Sequence, residues 1–214
     1  MIISYQGLES LKIQFGDTIV AYNPISKDSN FKGTKFGADI VLSSLNHPDT
    51  NGVENASRGE REAFAVTGPG EYEIGGVFIQ GFLSKSLYDG EERINTIYQL
   101  TLENMNLCFL GAISSPESLD SSAKEALDDV DVLFVPIGGD GVLTPSEAYA
   151  IGVKLEAKII IPIHYGDGLS STALKTFLKE GGEEGVTAVD KLTIKKKDLE
   201  GKEGDIVVLS ASSL

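Results

Sequence analysis

The residues that most often carry metal and nucleophilic chemistry are nearly missing: the chain has one cysteine and two histidines in 214 residues. A single cysteine excludes an intramolecular disulfide, so no covalent staple frames the fold. Cys108 lies in the apolar run Asn106-Leu107-Cys108-Phe109-Leu110-Gly111. A buried thiol packing as a small apolar side chain is expected there, since neither histidine is close enough in sequence to serve as its base. Long hydrophobic runs are also lacking, and no segment reads as a bilayer span. The opening Met1-Ile2-Ile3-Ser4-Tyr5 has no basic flank and no extended apolar region, so it reads as a first strand rather than an export signal. A cytoplasmic protein with no membrane partner is the resulting expectation.

Positive charge is short as well. Lysine and arginine number 18 against 32 aspartates and glutamates, a formal net charge of -14. Nucleic-acid binding needs clustered cations, because affinity comes largely from phosphate contacts. The densest basic run, Lys195-Lys196-Lys197, is followed at once by Asp198 and Glu200 and reads as a solvated turn. No nucleic-acid partner is expected. Anionic ligands in general meet a repulsive field that only a local patch could override.

What is present is a regular succession of short apolar runs. Residues 1–4, 11–15 and 18–22 form a meander, with Gly16-Asp17 as a tight hairpin turn. Residues 38–42 are continuously apolar apart from Asp39, the pattern of a strand covered on both faces. Residues 63–66, 76–81, 96–102 and 107–110 continue the β character. The second half alternates helices with the apolar, β-branched strands 132–136 and 159–163. Thr144-Pro145-Ser146-Glu147 is a helix start with a cap, a proline at the first position and a capping-box glutamate. Ser115-Pro116-Glu117 opens a second helix predicted to reach about Asp128. A third begins near Ser170, turns Leu174, Phe177 and Leu178 inward and stops at Gly181-Gly182. A β-rich half followed by βαβα implies two sheets covered by outer helices in one domain, residues 1–214.

The chemistry-bearing residues fall at strand ends. The strand at 38–42 runs into Ser43-Ser44-Leu45-Asn46-His47-Pro48-Asp49-Thr50, and the strand at 159–163 delivers His164. Loops at strand ends are where metal and acid–base groups are usually mounted. Three readings compete for them. His47, Asp49 and His164 are the candidate metal ligands, with Asp49 and His164 also the candidate catalytic pair. A metal-free pair of His164 with Asp49 is a second reading. A third is purely structural, with Pro48 fixing the loop and Asn46 and Asn51 bonding turn amides. Ser43, Ser44 and Thr50 are the nearby hydroxyls. Glu71 and Glu73 share one face of a strand and read as solvated carboxylates. Gly138-Gly139-Asp140-Gly141 lacks the spacing and lysine of a phosphate loop and reads as a flexible turn over the site's mouth.

Several strings in this order resemble the metallo-β-lactamase superfamily, and its UlaG-like branch in particular. They are Tyr5-Gln6-Gly7-Leu8-Glu9-Ser10, Asn23-Pro24, Gly68-Pro69-Gly70-Glu71-Tyr72-Glu73, Asp131 to Gly139, and Ile161-Pro162-Ile163-His164-Tyr165-Gly166. The resemblance implies an α/β fold, a four-layer αββα sandwich of two mixed β-sheets flanked by helices. It also implies a binuclear metal hydrolase whose first loop reads His-x-His-x-Asp-His. Set against that pattern, His47, Asp49 and His164 survive. Leu45 and Thr50 stand in place of histidines, Ala112 stands in place of the bridging aspartate, and the middle histidine has no counterpart. Zinc sites use about four ligands, with about three from the protein when catalytic. The expectation is therefore an eroded site with no or weak catalysis and no resident cofactor, acting as a binding module for a small molecule or protein. The alternative is a mononuclear hydrolase in which His47, Asp49 and His164 hold one zinc and its water. A homo-oligomeric structural subunit is a third class.

Overall fold

A computed structural model describes residues 1–57, 62–119, 121–127, 129–166 and 168–211. The end of the second predicted helix, Asp128, lies outside the described residues. The first half forms strands β1 (Ile2–Gly7), β2 (Ser10–Phe15), β3 (Thr18–Tyr22), β4 (Ile40–Leu42) and β5 (Phe64–Val66). Strands β6 (Gly70–Ile74), β7 (Val77–Ser86), β8 (Arg93–Leu102) and β9 (Met105–Phe109) follow as a meander. Then come α1 (Ser121–Ala126), β10 (Val132–Pro136), α2 (Pro145–Lys154), β11 (Ile159–Ile163), α3 (Ala173–Glu180), β12 (Leu192–Thr193) and β13 (Asp205–Ile206).

These strands build a six-stranded sheet, ordered β12-β1-β2-β3-β4-β5, and a seven-stranded sheet, ordered β13-β11-β10-β9-β8-β7-β6. Both are mixed: β1–β3 and β6–β9 pair antiparallel, while β3–β5 and β9, β10, β11 and β13 pair parallel. This is the metallo-β-lactamase sandwich that the sequence implied. Every residue of β4, β10 and β11 is buried, as continuous apolar runs between two covered faces require. Between the sheets, Tyr22 of β3 stacks on Phe109 of β9 and Phe109 on Phe134 of β10, with ring centroids 4.5 Å apart in each pair. Burying an aromatic of this size contributes about 1.5–3 kcal/mol, so the three rings add several kcal/mol to the seam between the sheets.

Thr144 caps α2 with both halves of the capping box in place. Ala148 and Ile151 face the core, and α2 packs on β10 and α3. In α3, Phe177 and Leu178 are buried, Leu174 is half-buried, and Gly181 is the C-cap. The helix predicted from residue 115 is broken instead. Pro116–Ser118 is one 3₁₀ turn, and α1 starts only at Ser121. Between them Leu119 takes an extended conformation that sends its side chain into the core, 1% exposed. Core burial of one leucine outweighs two turns of exposed helix. On the outer face of the six-stranded sheet, a small cluster of Ala21, Ala38, Val41, Ala56 and Ala63 is covered by Phe36 and the 3₁₀ turn Val53–Ala56.

The arrangement that positions the site is a strap. Strands β7 and β8 continue well past β6, and the start of β8, while still paired with β7, also bonds the loop after β4. Asn95 bridges Leu45 antiparallel, and Thr96 N donates to Ser44 O at 2.8 Å. Asn95, fully buried, fixes the crossing through its amide. Its Nδ2 donates to Ser84 Oγ and Leu110 O at 2.7 and 2.9 Å, and its Oδ1 accepts from Ala112 N at 3.1 Å. The hairpin tip beyond it, Leu87 to Glu92, is thereby carried over the carboxyl ends of the strands.

Among the described residues no helix is long and apolar enough to cross a membrane. Cys108 is fully buried, and burial pushes its thiol well above the ordinary range, as a packing role requires.

Candidate functional site

His47, Asp49 and His164 line one cleft of about 650 Å³ at the carboxyl ends of β4 and β11. The loop after β4 is held by its own backbone: Thr50 N and Asn51 N both donate to His47 O, at 2.9 and 3.0 Å. Thr50 Oγ1 donates to Leu45 O at 2.7 Å, and Asn51 Nδ2 donates to Asn46 Oδ1 at 3.0 Å. The two asparagines thus bond each other across the turn. His47 Nδ1 accepts from Asp49 N at 3.2 Å, so in the neutral ring the proton resides on Nε2, which faces Asp89 Oδ2 at 3.6 Å.

His164 sits at the end of β11 with φ +63°, a left-handed conformation that is costly for a side chain of this size. The strain is held by neighbours. Its N donates to Leu8 O, and Gly138 packs so closely that a Cβ there would lie 2.5 Å from His164 Cδ2. The expected partner of His164 was Asp49; the structure gives it Glu9. His164 Nδ1 lies 3.0 Å from Glu9 Oε1, both side chains being almost fully buried. Asn23 Nδ2 donates to Glu9 Oε2 at 2.9 Å. A carboxylate on Nδ1 leaves Nε2 as the nitrogen a ligand would meet, the orientation of a general base.

Asp49 is committed elsewhere. Ser29 Oγ donates to its Oδ1 at 2.5 Å and Tyr88 Oη donates to its Oδ2 at 2.7 Å. Tyr88 comes from the strap's tip and touches both histidines. Its ring is edge-on to His47 at 5.1 Å and to His164 at 5.4 Å between centroids. Burial first, then the Asp49 carboxylate, pushes the Tyr88 hydroxyl far above its ordinary range, so it acts as a donor. Behind the ring, Leu45, Ala112 and Val142 form an apolar cluster against which Tyr88 packs. Leu45 and Ala112 are the two residues that the sequence resemblance set against a histidine and an aspartate. Sequence reasoning missed Tyr88, Ser29 and Glu9.

This donor set does not fit a binuclear metal centre. Both oxygens of Asp49 accept from hydroxyls, and an aromatic ring packs edge-on against both His47 and His164. Among the described residues no three His, Cys, Asp or Glu side chains gather into a metal-holding group. The other candidates also resolve. Ser43 Oγ donates to Leu45 O and Ser44 Oγ accepts from Asn23 Nδ2, so neither is poised as a nucleophile. Glu71 and Glu73 are exposed on the edge strand β6, with Gln80 Nε2 donating to Glu71 at 3.3 Å. Asp140 and Gly141 line the cleft's mouth, as the turn after β10 was expected to do.

Residues 2–164 match the family described as the beta-lactamase superfamily domain, and the chain belongs to that family. Among its relatives are UPF0173 metal-dependent hydrolases of Bacillus cereus and Bacillus thuringiensis. Each is 25% identical over 198 residues, covering 77% of this chain and 86% of its own. A Thermotoga maritima protein described as a zinc-dependent hydrolase of the metallo-β-lactamase superfamily shares the fold, with a TM-score of 0.72 and 24% identity over 97% of both chains. An isothiocyanate hydrolase from Delia radicum gut bacteria shares it with a TM-score of 0.65 and 12% identity, over 100% of this chain and 98% of that one.

Proposed function

We propose that this chain is a member of the metal-dependent hydrolase family whose binuclear site has lapsed, and that its cleft serves as a binding pocket. The observation that supports this is Tyr88, packed against both His47 and His164 with its hydroxyl on Asp49 and an apolar cluster behind it. Two neutral donors satisfy the carboxylate that a cation would otherwise hold, and leucine and alanine replace ligands with apolar surface. Removing ligands without filling the space would leave a buried charge unpaired, which is costly. An apolar cluster lies behind Tyr88 and both oxygens of the Asp49 carboxylate are hydrogen-bonded, which supports the reading.

The test is elemental analysis of protein purified without chelator or affinity-metal contact, together with thermal unfolding in added zinc. Metal well below one per chain is expected, with little change in Tm. A cation at a hundred times its Kd would add about 2.7 kcal/mol of stability, a plainly visible shift. Near-stoichiometric zinc that disappears in His164→Ala along with a measured hydrolysis overturns the reading.

A further inference from the structure

Beside the cleft lies a second hollow of opposite character. It measures about 430 Å³ and is lined by Lys27, Lys32 and Lys35 with Ser26, Asn30 and Asn55. The two are contiguous, because Ser29, Asn30 and Phe31 line both. In a chain of net charge -14, residues 26–36 carry three lysines against one aspartate. Among the described residues, Lys32 and Lys35 have no carboxylate within salt-bridge distance, and no acidic side chain lines the hollow. Glu54 is near Lys27, but its Oε1 is spent on Lys27 N and Ser26 Oγ, at 2.9 and 2.8 Å.

The hollow is also built on tightly packed backbone. Gly33 and Gly52 both press against Ile25: a Cβ on Gly33 would lie 2.6 Å from Ile25 O, and one on Gly52 2.4 Å from it. Asn55 Nδ2 donates to the same carbonyl at 2.6 Å. Phe36 N and Ala38 N bond Asn55 O and Ala56 O. The lysines therefore project from a fixed turn.

Resting on the reading of the cleft as a binding pocket, we infer that this lysine hollow is its anion subsite. It takes a phosphate or carboxylate group of a ligand whose remainder passes Phe31 into the cleft. Lysines lining one hollow, with Lys32 and Lys35 unpaired to carboxylates among the described residues, offset the repulsion that the rest of the surface exerts on anions. The part of the ligand in the cleft carries no second anion, because Asp28, Asp49, Asp89 and Asp140 line that side.

The test titrates inorganic phosphate and, separately, succinate into the chelator-treated full chain at fixed ionic strength, following backbone amide shifts. Saturable shifts centred on residues 26–35 are expected with at least one of the two, and the anion that saturates names the group. Lys32→Ala with Lys35→Ala should weaken binding roughly tenfold to a hundredfold, as loss of charge-assisted hydrogen bonds implies, whereas Lys197→Ala should not. Saturation by neither anion, or equal affinity in the double variant, overturns the inference. Should zinc prove stoichiometric while phosphate still saturates at Lys32, only the lapsed-site reading falls. Should metal be absent and no anion saturate, only the subsite falls.

Discussion

Tyr88 joins the parts of the cleft through one hydroxyl and one ring. Its hydroxyl satisfies one oxygen of Asp49, and its ring packs edge-on against His47 and His164. Tyr88→Phe should keep the packing but strip Asp49 Oδ2 of its donor. A loss of about 1–2 kcal/mol in urea unfolding is expected, and an unchanged midpoint would mean that water replaces the hydroxyl without cost. The two histidines of the cleft were legible because His47 and His164 are the chain's only histidines and each follows an apolar run. Tyr88 was not: it lies 39 residues from Asp49 in a polar tip with no periodicity. Glu9 was visible as part of a framework string, but nothing local pairs it with an imidazole 155 residues away. A lone carboxylate inside Leu8-Glu9-Ser10-Leu11 was the available sign that a buried partner exists.

At the scale of elements, strand cores were readable from composition and strand lengths were not. The predicted runs at 76–81 and 96–102 captured one end of β7 and most of β8 and missed residues 82–86 and 93–95, where Ser84, Lys85, Arg93 and Asn95 break the apolar pattern. That missed stretch is the strap. Its tip is seated by Gly141, which has φ +93° and lies so close that a Cβ would meet Leu87 O and Tyr88 Cα at 2.9 Å. Gly141→Ala should therefore lift the tip, costing about 1–3 kcal/mol through strain and lost contact. Amide exchange should quicken at residues 87–92 while β10 stays protected; uniform exchange would show that the tip is not separately seated. The break at Leu119 has the same origin, a tertiary contact overriding a good local helix start.

Over the whole molecule, charge is the dominant unevenness. Asp131, fully buried, accepts from Lys158 and Lys196 at 2.7 Å each and from Asn106 N at 2.9 Å, tying the base of β10 to the segment after β12. The nearby Lys158 holds the Asp129 carboxyl below its usual range, and Asp129 and then Asp131 push Lys158 above its own. A lowered carboxyl stabilises the fold above its unfolded value, near pH 4, and that contribution disappears as pH falls through the folded value. A raised lysine stabilises below its unfolded value, near pH 10.4, and that contribution is lost as pH climbs past it. The stability gap between wild type and Lys158→Ala should therefore be flat from about pH 5 to 9, at about 1–3 kcal/mol, and narrow at both ends. A gap that widens in acid would contradict the assignment.

The strap has a consequence for durability. Where cations clamp the strand-end loops of a domain, their extraction loosens the domain at its working end. In this molecule the same loops are sewn by main-chain bonds from Ser44 and Leu45 to Asn95 and Thr96, and no chelator can unpick those.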